Sequence, residues 1–185
     1  MEEVMLQWLS EPSFWSTTVL LVCLVPTILG MLFGTPKRRS VEAVWLYRGA
    51  GIEVLFVLLP FVLYAVGNSL NGSFAKFMAS PELPMAAMVL FAMTLFSMFK
   101  GIYASQGRVA IEAFLVGLVI SIFLVTTCGV YVFWLAFKQD VWLWFGPINA
   151  VLIVLAAMFS FAITASMAYL GRFPEHFGAE ADTQS

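Results

Sequence analysis

Residues 14–34 read FWSTTVLLVCLVPTILGMLFG, from Phe14 to Gly34, 21 residues without a charge. At 1.5 Å per residue such a helix reaches about 30 Å, the thickness of a bilayer's hydrocarbon core. The rest of the chain follows the same pattern. Of its 185 residues 62% are hydrophobic and 11% charged, and mean hydropathy is +0.95. A soluble domain is about half apolar and a quarter charged. The composition therefore predicts an all-α, polytopic transmembrane bundle, with no segment left over for a soluble catalytic domain.

Five spans are expected, at about 14–34, 41–67, 84–104, 109–137 and 141–170. They form one transmembrane domain over 1–171. Four spans result if the second is discounted, because it carries Arg48 and Glu53. Pro26 is expected to disturb the first helix, which neighbouring helices tolerate in lipid. Pro84 suits a first helical turn. Only Lys138-Gln139-Asp140 separates spans four and five, which predicts a tight antiparallel hairpin. The connection 68–83 is polar and turn-rich, with room for a short amphipathic piece around Phe74–Met78. The small, polar tail 172–185 reads as a disordered cytoplasmic end. Glu2 and Glu3 are the reverse of a signal peptide's basic start, so the first span is expected to remain in place.

Lysine and arginine in short loops favour the cytoplasmic side. With the N-terminus outside, Lys37, Arg38, Arg39, Arg48, Lys100, Arg108 and Arg172 face the cytoplasm, against Lys76 and Lys138 outside. The expected topology is thus N-terminus outside and C-terminus cytoplasmic. Lys37, Arg38 and Arg39 form a basic patch on the inner face. A net charge of −2 gives no basic face for direct nucleic-acid binding.

The residues that carry chemistry are ionisable groups at membrane depth. Arg48 and Glu53 lie five apart; Arg108 and Glu112 lie four apart, a spacing that brings them to one helix face. Glu53 sits roughly 18 Å along a helix that starts near Val41. A charge there costs a few kcal/mol and calls for a partner or water. Arg48 and Arg108 are its candidate partners, and a static ion pair is the expected state. Asn149, after Gly146-Pro147, either bonds across helices or lines a cavity at a helix break. Gly30 and Gly34, and Ala113, Gly117 and Ser121, form small-residue stripes that allow close helix approach. Such stripes serve packing within one chain or self-association. Cys23 and Cys128 fall inside spans and read as packing residues. A single histidine, His176, makes no metal site, and no motif for phosphate binding, metalloprotease or nucleophile chemistry is present. No cofactor and no enzymatic activity are expected.

The segment SPELPMAAMVLFAMTLFSMFKGI, Ser80 to Ile102, enters a membrane helix through Ser-Pro-Glu and leaves it through Lys-Gly. It resembles small polytopic membrane subunits of bacterial anti-phage defence systems, such as the Kiwa membrane subunit, over about an eighth of the chain. The resemblance implies an oligomeric protein of the bacterial inner membrane that works with a cytosolic effector. The expected function is a non-enzymatic homo-oligomeric sensor or anchor for a cytosolic partner. The alternative is a small channel or transporter that uses Glu53, Glu112 and Asn149.

Overall fold

The computed structural model describes residues 11–34, 40–105, 111–138 and 142–173. Lys37, Arg38, Arg39, Arg108 and the tail beyond Phe173 lie outside these residues, and only the helical backbone is described for Glu112 and Ala113. The described chain is helical, with no strand among its residues. Five helices are long and apolar enough to cross a membrane. They are α1 (Pro12–Phe33), α2 (Val41–Leu70), α4 (Glu82–Ser105), α5 (Ile111–Phe137) and α6 (Phe145–Arg172). The short α3 (Phe74–Ala79) links the second and third.

Local chemistry explains the helix ends. Pro12 opens α1, where its missing N–H costs nothing. Inside α1, Leu20–Leu24 forms a π turn, and the N–H of Val25 donates to the Leu20 carbonyl. A proline ring collides with the carbonyl four residues before it. The wider turn just before Pro26 relieves that collision, so the disturbance expected at Pro26 takes the form of a π turn. Ser40 caps α2 by accepting from the Ala43 N–H at 3.2 Å, and α2 ends in a turn where Gly72 takes φ +68°. That left-handed value suits glycine.

The bundle is organised around α4 and α6. Leu83, Ala86, Ala87, Leu90, Phe91, Thr94, Ser97 and Met98 of α4 are buried, a three-to-four spacing along one broad face. Ala150, Ile153, Val154, Ala157, Ser160 and Thr164 of α6 face them. The two helices run parallel, with Ser97 beside Thr164 and Gly101 beside Met167. The small side chains bring the backbones close, and the close contact is rewarded by dispersion rather than by water release.

Helix α5 packs on the other side of α4, with Met98 against Gly117 and Met88 against Gly129. Among the described residues it meets α6 near their connection, where the Trp134 and Phe145 rings lie 5.4 Å apart and Lys138 sits over both. Elsewhere α4, not α5, covers α6. The expected hairpin is therefore closed at its tip and splayed below it. The reason is shape: α4 offers alanines to α6, whereas α5 carries bulky residues such as Phe123 and Phe133 turned outward.

Candidate functional site

Two polar constellations lie at opposite ends of the bundle. The first is an open cleft of about 300 Å³ between α2, α4 and α6. Its lining includes Glu53 of α2, Ser97 and Lys100 of α4, and Thr164 and Arg172 of α6. The Ser97 and Thr164 hydroxyls hydrogen-bond to each other at 3.0 Å at the base of the cleft. At its rim Arg172 Nη2 donates to Glu42 Oε1 at 2.9 Å, the one ion pair among the described residues. Both partners are more than half exposed, so this pair contributes at most about 1 kcal/mol.

Glu53 is exposed, and among the described residues it makes no ion pair or hydrogen bond. Arg48 is exposed too and borders a separate notch with Val41, Val44 and Trp45. Five residues of helix turn them to different faces, so they do not meet. Lys100, in the same cleft, has no ion-pair partner among the described residues either. The cleft was not legible from sequence. Ser97 and Thr164 belong to no site motif that the sequence singles out, and Lys100 reads only as a topology signal. Nothing in their spacing reveals that they share a cleft with Glu53.

The placement of Glu53 bears on its expected pairing. A carboxylate in an open cleft strands no buried partner when neutralised. Glu53→Gln is therefore expected to change folding stability by no more than about 0.5 kcal/mol, as for other exposed substitutions. Thermal unfolding of the purified variant in detergent checks this. A loss of several kcal/mol would instead reveal a buried ion pair.

The second constellation centres on Asn149, which is fully buried one turn into α6. Its Nδ2 donates to the Met78 carbonyl at 3.0 Å and to the Ser80 carbonyl at 3.2 Å. The Tyr131 hydroxyl donates to its Oδ1 at 2.9 Å. One amide thus ties α6 to α5 and to the backbone carbonyls at the end of α3. Gly146 and Pro147 belong to the first turn of α6 rather than to a break. From Asn149 to Thr164 is roughly 22 Å along the helix. Asn149 and Glu53 therefore do not share a cavity.

The small residues divide in the same way. A Cβ on Gly117 would meet the Met98 methyl of α4, and Ser121 is buried with its hydroxyl 3.7 Å from Met98 Sδ. A Cβ on Gly34 would press on the Tyr47 ring. These positions serve contacts within the chain. Gly30 has open space where a side chain would stand. Sequence reading missed Gly51, whose absent side chain lets the Met31 carbonyl of α1 approach to 2.8 Å of where a Cβ would be. Among the described residues no group of His, Cys, Asp and Glu is placed to hold a metal. No protein-family model matches this chain, and no curated protein or solved structure matches it either.

Proposed function

We propose that this chain is a non-enzymatic inner-membrane component, homo-oligomeric, whose basic end faces the cytoplasm and anchors a cytosolic partner. The observation that carries this reading is the exposure of Arg48, Lys100 and Arg172 on three different helices at one end of the bundle. The connections at that same end supply Lys37, Arg38, Arg39 and Arg108 in the sequence. Cations spread over one face attract an acidic surface and speed encounter with it. The likeness of Ser80–Ile102 to membrane subunits of anti-phage systems supports a sensor role in bacterial defence. The channel reading draws less support, because Asn149 spends its amide on fixed backbone carbonyls and lies far from Glu53.

Topology and flux test the proposal together. Reporter fusions are expected to place residue 72 outside and residues 38, 105 and 182 in the cytoplasm. Proteoliposomes of the full chain are expected to hold their ion gradients. A photo-crosslinker at residue 38 in intact cells is expected to trap a cytosolic protein, and the yield should fall when Lys37, Arg38 and Arg39 become Gln. An outside C-terminus overturns the anchor reading. So does an ion flux that Glu53→Gln abolishes, which puts the channel first.

A further inference from the structure

We propose that the cleft between α2, α4 and α6 binds a zwitterionic headgroup in which an N–H-bearing ammonium is linked to a phosphate, the headgroup of phosphatidylethanolamine. This holds whether or not the chain docks a cytosolic partner.

Three observations converge on that chemistry. First, the cleft lining carries opposite charges on different helices: the Glu53 carboxylate on α2 and the Lys100 ammonium on α4. Neither has an ion-pair partner among the described residues. A carboxylate and an ammonium that line one open cleft near the membrane surface are each stabilised by a counter-charge that enters it. A ligand that carries both charges answers both at once. A simple anion leaves Glu53 unanswered and repels it, and a simple cation does the same to Lys100. Second, the space between them fits a small headgroup. About 300 Å³ is the room of roughly ten waters. The base offers the bonded Ser97 and Thr164 hydroxyls, and Arg172 stands at the rim with one side already turned to Glu42. Third, the position is interfacial. Lys100 lies five residues before the end of α4, about 7.5 Å, and Arg172 closes α6. Headgroups lie at that depth, and Met167 and Ala168 in the lining suit the start of acyl chains.

The roles follow from hydrogen-bonding capacity. Lys100, with Arg172 beside it, donates to phosphate oxygens. Glu53 only accepts, so it selects an ammonium with N–H bonds to give. A choline headgroup carries the same charges but no N–H, and Glu53 discriminates against it.

The test uses the full chain in detergent micelles, titrated with dioleoyl phosphatidylethanolamine, its mono- and dimethylated forms and dioleoyl phosphatidylcholine, with bound lipid read by native mass spectrometry. The wild-type protein is expected to hold phosphatidylethanolamine about tenfold more tightly than phosphatidylcholine, with affinity falling at each methylation. Glu53→Gln is expected to erase the preference, weakening phosphatidylethanolamine about tenfold more than phosphatidylcholine. Lys100→Gln is expected to weaken both lipids by a similar factor. Competition with soluble glycerophosphoethanolamine separates the sources. Displacement at millimolar concentration shows that the free headgroup suffices, and no displacement shows that the acyl chains are needed; either result upholds the shared chemistry. Equal binding of the two lipids by the wild-type protein overturns the proposal. So does a preference that survives Glu53→Gln, and thermal unfolding of each variant confirms that the comparison is made on folded protein.

Discussion

Asn149→Ala is expected to be among the most damaging single substitutions in this chain. The side chain is fully buried and spends three hydrogen bonds. Truncation leaves the Met78 and Ser80 carbonyls and the Tyr131 hydroxyl without that partner. Each hydrogen bond contributes about 1 kcal/mol net, and stranded buried groups add to the loss. A total of about 3 kcal/mol lowers the unfolding midpoint of a protein this size by roughly 6–12 °C. Tyr131→Phe removes only one donor and is expected to cost about a third as much. The double variant should lose less than the two single losses added, because both act through one amide. The measurement is thermal unfolding of purified protein in one detergent. An Asn149→Ala midpoint within a degree of wild type would show that the network is decorative.

The legibility of this chain divides by kind of information. Span number was readable because lipid demands apolar runs of fixed length, and the charged pair in the second span did not prevent α2 from running unbroken through Arg48 and Glu53. The short helix at Phe74–Ala79 was readable from its aromatic and methionine content between polar turns. Which span sits at the centre was not. All five spans look alike in composition, and the central position of α4 rests on Ala86, Ala87 and Ser97 falling where α6 also carries small residues. The partner of an intramembrane charge was equally hidden. Sequence spacing measures neighbours on one helix, whereas Glu53 faces side chains that are 44 to 119 positions away in the chain, from Ser97 to Arg172.

The same limit applies to the glycines, and Gly51 against Gly30 makes it measurable. Both lie in apolar spans, and only Gly30 belongs to a visible stripe. Yet a Cβ at Gly51 would stand 2.8 Å from the Met31 carbonyl oxygen and 3.1 Å from its carbon. These are backbone atoms, which have no rotamer to swing aside. The clash must be relieved by moving α1 away from α2, which opens the contact of Met31 with the core. Overpacking of this sort costs typically 1–3 kcal/mol. Gly51→Leu is expected to reach the upper end, about 3 kcal/mol, with Gly51→Ala near 1 kcal/mol as the variant that still folds. Gly30→Leu places its side chain in open space and is expected to leave the unfolding midpoint unchanged within about 0.5 kcal/mol. Its effect on assembly is a separate matter. Should copies of the chain approach one another through the open face around Gly30, Gly30→Leu will lower the oligomer size in light scattering while the midpoint holds. Gly117→Leu, whose site is filled by Met98 of the same chain, will lower the midpoint first. A Gly51→Ala protein as stable as wild type, or a Gly30→Leu protein less stable than Gly51→Leu, would mean that α1 does not cross α2 at Met31 and Gly51.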